Sequence, residues 1–525
     1  MTSIPGPAVL ILPTLLALTA CAPETYDTIL RGGRIVDGTG APPREADIAI
    51  RGGLIAAVGD LGGAAAETTL DVTGLHVSPG FIDTHSHAGP GLATGELSHG
   101  EPLLAQGLTT VVVNPDGGGP IDLAEQRAAL EEHGLGVNVA QLIGHGSVRG
   151  RVLGSEDRAP TDAELNRMRE LVRAAMEAGA WGLSSGPFYA PGSYSENSEL
   201  IELARVAAEF GGIYTSHIRD ESNYTIGLAA AVEEVIEVSR QANIKGVVTH
   251  IKALGPPVWG SSATIVERID AARAEGLRVY ADQYPYPASS TGLSSALLPR
   301  WSQAGGSDAL AERVADPATR ARIREAMVEN LARRGGADRI QFRRFTEDPS
   351  IEGRLLSDVA AGRGEDPVDT ALDLIIEGGP SIISFNMSEE DLLRFMIQEW
   401  TMTSSDGALP LFGVGVPHPR SYGAFPRKIR KYVFEDGVMT LEAAIRTMTS
   451  LPAEVMGMKD RGRIEEGLVA DLVVFSEHFR DNATFTEPHQ LSAGVVHLFV
   501  GGEAAIRDAG FTGARAGRVL EAPGR

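Results

Sequence analysis

Apolar and polar positions along the chain follow two rhythms. From residue 26 to 77 they alternate in short runs broken by glycine, as in Arg31-Gly32-Gly33-Arg34-Ile35-Val36-Asp37-Gly38 and Asp47-Ile48-Ala49-Ile50-Arg51-Gly52-Gly53. A period of two, closed by glycine turns, predicts short β-strands. The same texture returns near the other end, in Gly467-Leu468-Val469-Ala470-Asp471-Leu472-Val473-Val474-Phe475 and in Val495-Val496-His497-Leu498-Phe499-Val500. Two β-rich segments at opposite ends can pair with each other. They are expected to form a small β-sandwich from residues 29–78 and 460–525, with the rest of the chain inserted between them.

The middle of the chain alternates short apolar runs with longer stretches that are apolar at helical spacing. Predicted strands are 81–84, 109–113, 137–143, 181–184, 213–216, 246–249, 278–282 and 401–405, and helical stretches include 162–178 and 229–241. Repeated βα units build a parallel sheet. Eight of them predict a closed (β/α)8 TIM barrel over residues 79–459, with its functional groups at the C-terminal strand ends. The interval 289–399 is too long for an ordinary loop and contains helical patterns of its own. An inserted subdomain over the barrel mouth, before the last strand, is expected there.

Side chains able to hold a cation recur at these predicted strand ends. In Phe81-Ile82-Asp83-Thr84-His85-Ser86-His87 the two histidines sit at i and i+2. On a strand they share a face and point to the barrel axis, where two imidazoles suit a divalent, zinc-like ion. His217 follows the strand at 213–216, His250 the strand at 246–249, Asp406 the strand at 401–405, and Asp116 lies a short turn beyond 109–113. Any one of these alone would serve equally as a cap or a hydrogen-bonded core residue. Their joint placement around one point predicts a metal centre.

Composition narrows the partners and the compartment. Apolar residues make up 43% of the 525 and charged residues 22%, an ordinary globular balance. The formal net charge of −23 disfavours nucleic acid as a partner. The sole cysteine, Cys21, follows an apolar run over residues 8–20 that is too short to span a bilayer as a helix. The ending Leu18-Thr19-Ala20-Cys21 resembles a bacterial lipoprotein signal, although residues 1–7 lack the expected Lys or Arg. Residues 1–20 are therefore expected to be a leader and Cys21 a lipidation site, with 21–28 a tether. The folded part is then expected to be exported to the cell envelope, in the periplasm or outside the cell, and to meet the membrane only through a lipid.

Longer stretches resemble one family, the N-acyl-D-amino-acid deacylases of the amidohydrolase superfamily. They are Gly80 through His87, Ser216-His217-Ile218-Arg219-Asp220-Glu221, Thr249-His250-Ile251-Lys252, Asp282-Gln283-Tyr284-Pro285-Tyr286 with Ser289-Ser290-Thr291, Ser405-Asp406-Gly407, and His418-Pro419-Arg420. The resemblance covers nearly all of residues 26–507. It implies a zinc-dependent hydrolase, with one or two ions, that cleaves the amide of a small N-acyl-D-amino acid. Asp116, His217 and His250 resemble the tight metal site, His85 and His87 a weaker second one, and Asp406 the catalytic acid/base. Lys252, Tyr284, Tyr189 and Arg300 are candidate substrate-binding residues, and His145 is either a positioning residue or an unrelated buried histidine. Two departures stand out. The family's metal-binding cysteine after strand 2 is replaced by Asp116, and no lysine lies between His87 and Lys245 to form a carboxylated metal bridge. The second departure argues against cyclic-amide hydrolases of the same superfamily. Hydrolysis of small peptides or cyclic amides, or metal-free ligand binding, are the alternative functions.

Overall fold

The structure is a computed structural model that describes residues 25–523 together with Met1, Thr2 and Ile4. Cys21 and nearly all of the expected leader lie outside the described residues. No helix among the described residues is long and apolar enough to cross a membrane.

The centre of the molecule is a barrel of parallel strands. In order they are Phe81–Asp83, Leu108–Val113, Asn138–Gln141 continued by Ile143–Gly144, Gly182–Ser185, Ile213–Ser216, Lys245–Val248, Val279–Gln283 and Thr401–Thr403. Each pairs in parallel with its successor. The third strand is broken at Leu142, so its first half pairs with the second strand and its second half with the fourth. Closure of the eighth strand onto the first takes place beyond the strands themselves. Gly407–Ala408 pairs with Ser86–His87. Asp83 accepts hydrogen bonds from Ser405 N at 2.9 Å and Ser405 Oγ at 2.5 Å, and Asp406 N donates to His85 O at 2.9 Å. The seam thus lies where the candidate ligands are.

Amphipathic helices surround the barrel. Helix Asp162–Glu177 starts at a capping box between Thr161 and Glu164 and turns Met168, Val172, Ala175 and Met176 inward. Strands from both chain ends form one nine-stranded sheet, in which His76–Pro79 pairs antiparallel with Leu472–Arg480. Its core holds Leu30, Ile48, Ile50, Leu472, Val474 and Phe499.

The boundaries differ from the expected ones in three places. Residues 26–28 are the start of strand Tyr26–Ile35 and not the end of a tether, with Thr28 in register with Ile50. At the other end, Val519–Leu520 leaves the terminal sheet and pairs in parallel with Asn138–Gln141 on the barrel. The insertion contains a three-stranded antiparallel sheet, Ser289–Gly292, Ser381–Ser384 and Ile340–Arg344, with its own apolar core. It ends before helix Glu389–Met396, which packs on barrel helix Ser262–Ala274 and buries Phe395 in the barrel core. Ser388 caps that helix by accepting from Asp391 N. Its packing assigns this helix to the barrel.

Candidate metal centre

Six side chains from strand ends converge on one side of the barrel. Asp116 lies at their middle, with Oδ1 3.3 Å from His85 Nε2, 3.4 Å from His250 Nε2 and 3.8 Å from His217 Nδ1. Its other oxygen, Oδ2, is 3.4 Å from His87 Nε2. Asp406 Oδ1 lies 3.2 Å from His87 Nε2 and 3.7 Å from His85 Nε2. Two ligand groups result, His85, His87, Asp116 and Asp406 in one and Asp116, His217 and His250 in the other, and Asp116 belongs to both. A carboxylate offers two oxygens, so Asp116 could serve both groups, as a harder donor than a thiolate would be.

The neighbouring side chains fix this arrangement. Asp282 accepts from His250 N at 2.8 Å and Ser404 Oγ at 2.6 Å, tying strand 6 to strand 8. Glu221 lies 3.0 Å from His250 Nδ1 and 2.5 Å from Lys252 Nζ. That contact turns the other imidazole nitrogen, Nε2, toward Asp116. Gly186, after the fourth strand, passes so close to Asp116 that a Cβ there would stand 2.2 Å from the Asp116 carbonyl oxygen.

The unmet hydrogen-bonding capacity of the centre matches a cation. Both nitrogens of His85, both of His217, and Asp116 Oδ1 are buried without hydrogen-bond partners. Buried polar atoms are rarely left so, and here they share one small volume. Burial pushes His217 down to about 3, leaving the neutral imidazole that a metal needs. Burial acts against charge on His87 too, but hydrogen bonding to Asp116 and Asp406 raises it to about 9. A proton is thus held where a cation would satisfy the same carboxylates. The residues fit a zinc-type centre.

Asp406 has a second neighbour, Arg420, whose Nη1 is 2.7 Å from Oδ2. Burial opposes ionisation of Asp406, yet the Arg420 charge and His87 hold its pKa well below the usual carboxylate range. Arg420 also lies over the Tyr284 ring, 4.6 Å from its centroid.

A cavity of 900 Å³ opens over the centre and reaches Lys252, Tyr189 and Tyr284. Lys252 lines this cavity while being only 3% exposed, held between Glu221 and His250 Nδ1. Tyr189 sits 4.6 Å from the His217 ring centroid, with its hydroxyl 3.3 Å from Thr291 Oγ1. Arg300 does not line the cavity. Its guanidinium packs 4.0 Å from the centroid of the Phe188 ring, which does, and donates to Ser295 O. His145 lies apart from the ligands, its Nε2 2.7 Å from Glu199 Oε1 in a buried group with Arg149. Glu221 and Arg420 belong to stretches prominent in the sequence, but the neighbours that give them roles come from other strands. Arg334 and Arg343 line the cavity from the insertion, where no motif marks them.

The amidohydrolase family model matches residues 68–506. The N-acyl-D-glutamate deacylase of Alcaligenes xylosoxydans xylosoxydans is 38% identical over 520 residues, covering 95% of this chain and 97% of the relative. The D-aminoacylase of the same organism is 35% identical, covering 95% and 98%. The crystal structure of N-acyl-D-glutamate deacylase from Bordetella bronchiseptica, complexed with zinc and a phosphonate inhibitor that mimics the tetrahedral intermediate, superposes with a TM-score of 0.81. It is 36% identical, with 95% of this chain and 100% of that one covered. Agreement over nearly the whole of each chain, on top of a barrel with convergent histidines and carboxylates, means that this chain belongs to the amidohydrolase family.

Proposed function

We propose that the protein is a zinc-dependent hydrolase that splits N-acyl-D-amino acids into a carboxylic acid and a free D-amino acid. The observation that carries this reading is the position of Asp406, between the histidine-lined centre on one oxygen and Arg420 on the other. Asp116, His217 and His250, with His85 and His87 alongside, would hold the zinc, which when bound would supply Lewis acidity and lower the pKa of water toward neutrality. Asp406, kept ionised by its neighbours, takes the proton from the attacking water on its Oδ1 side. A bond then forms between the water oxygen and the acyl carbon. As the carbon–nitrogen bond breaks, Asp406 returns its proton to the departing amine, so protons balance over the cycle. Arg420 would pair with a carboxylate next to the scissile nitrogen, and the Tyr284 ring against it limits how its guanidinium can turn. The walls that bury Asp406 to 6% exposure limit bulk water around these charges.

A panel of N-acetyl-D- and N-acetyl-L-amino acids, with and without added zinc, tests this reading. Zinc-dependent amine release from the D series is expected. Release from the L series alone would overturn the stereochemical assignment.

The site of action we infer is the cell envelope, with the chain attached through lipid on Cys21. The apolar run before Cys21 supports this. A Cys21→Ser variant is expected to leave the membrane fraction, and one that stays there would remove the anchor.

A further inference from the structure

Four cationic side chains line the cavity: Lys252, Arg334, Arg343 and Arg420. Glu221 matches Lys252, and Asp406 matches Arg420. Arg334 is 1% exposed, donates to Ser384 Oγ at 3.0 Å and lies 6.0 Å from the Tyr224 ring centroid, so it is built into a wall. Arg343 differs. Among the described residues no carboxylate pairs with it, and its side chain donates from Nε to Ser381 Oγ at 3.2 Å. Burial and the nearby Arg420 charge lower it only to about 10, so it is a cation at neutral pH.

The fold directs this side chain deliberately. Strand Ile340–Arg344 pairs with Ser381–Ser384 so that Phe342 faces Ile382 and Arg344 faces Ser381. Arg343 is the extra residue of a bulge, a device that re-aims a side chain at a sheet edge. A loop after the last barrel strand clamps the bulge: Val416 N donates to Arg343 O at 2.8 Å. Gly415, at φ +72°, passes where a Cβ would be 2.9 Å from that oxygen. The insertion and the barrel therefore fix Arg343 together.

We propose that Arg343 is a specificity-determining residue that binds the side-chain carboxylate of an N-acyl-D-amino dicarboxylic acid, a subsite that rests on the deacylase reading above. Arg420, in contact with Asp406, meets the α-carboxylate beside the scissile nitrogen. Arg343 is beyond ion-pairing distance of Asp406 but within reach of its charge, as a carboxylate a few bonds further along the substrate requires. A neutral side chain leaves a partly buried guanidinium unpaired, which disfavours it, whereas a carboxylate pairs in the planar, two-pronged geometry that arginine offers.

The test compares kcat/KM for N-acetyl-D-glutamate and N-acetyl-D-methionine, of similar length, in the zinc-loaded parent, Arg343→Gln and Arg343→Lys. The parent is expected to prefer the dicarboxylate. In Arg343→Gln the glutamate-to-methionine ratio should fall on the order of 100-fold, chiefly through KM for the dicarboxylate. Arg343→Lys should retain more of the ratio. Each ratio is taken within one protein, so a fold defect that lowers both rates cancels. A parent that prefers the methionine substrate, or a ratio unchanged in Arg343→Gln, overturns the subsite while leaving the deacylase reading intact. No release from either substrate by the parent overturns both.

Discussion

At Asp116, His250 and Asp406 the backbone turns through the left-handed region, with φ of 57°, 36° and 49°. For residues with a Cβ such conformations cost roughly 1–3 kcal/mol each and persist where surrounding contacts over-determine them. Those contacts are visible: Asp282 takes the His250 amide, and the Asp406 amide donates to His85 O. The strain aims three side chains inward from the ends of three different strands. His85 and His87 were legible in the sequence because two residues apart on a strand is a geometric statement in itself. Glu221, Arg420 and Arg343 were not legible as partners, because each acquires its role from an element far away in sequence. Arg300 misled because its charge suggested a ligand contact, whereas Phe188 stands between it and the cavity. Asp406→Asn keeps the shape but cannot accept a proton. Turnover should fall about 10²–10⁴-fold while zinc content, read by elemental analysis, stays at the parental level. A variant with near-parental turnover would remove Asp406 from the acid/base role.

At the scale of elements, the barrel places ligands by ending its strands early. Asp83 and Ser405 close the seam where strand pairing stops, and the short pair Ser86–His87 with Gly407–Ala408 carries His87 and holds the loop after Asp406. The eight strands were legible from apolar runs of four to six residues. The break at Leu142 and the bulge at Arg343 were not, since neither changes the hydrophobic pattern. Gly186 shows how tightly the loops interlock: any side chain there must displace the Asp116 backbone. Gly186→Ala should therefore weaken zinc binding by about 10- to 100-fold, as disturbed support around a ligand typically does, measured by competition with a chelator. Parental affinity in that variant would show that the Asp116 loop yields without moving its carboxylate.

Over the whole molecule, the terminal sheet joins residues some four hundred positions apart. That pairing followed from matching β texture at the two ends, while the return of Val519–Leu520 to the barrel left no mark in so short a segment. Stability carries one charge term that is easily isolated. Lys428 is 2% exposed, its ammonium donates to the hydroxyls of Thr403 and Thr447, and burial pushes it down to about 7. Between pH 7 and its ordinary value near 10.5 the unfolded chain holds a proton that the folded chain lacks. Stability from this group therefore rises with pH across that window, and its cost, up to a few kcal/mol, is fully present below pH 7. Lys428→Met should melt higher than the parent at pH 6.5, with the gap closing toward pH 10. A gap independent of pH would contradict this assignment. The account depends above all on a cation held by residues from separate strands, and anomalous diffraction at the zinc edge from crystals of the zinc-loaded protein tests that most directly. The predicted result is a strong peak within bonding distance of Asp116, His217 and His250. Zinc found elsewhere, with those side chains bonded only to protein or water, would contradict it.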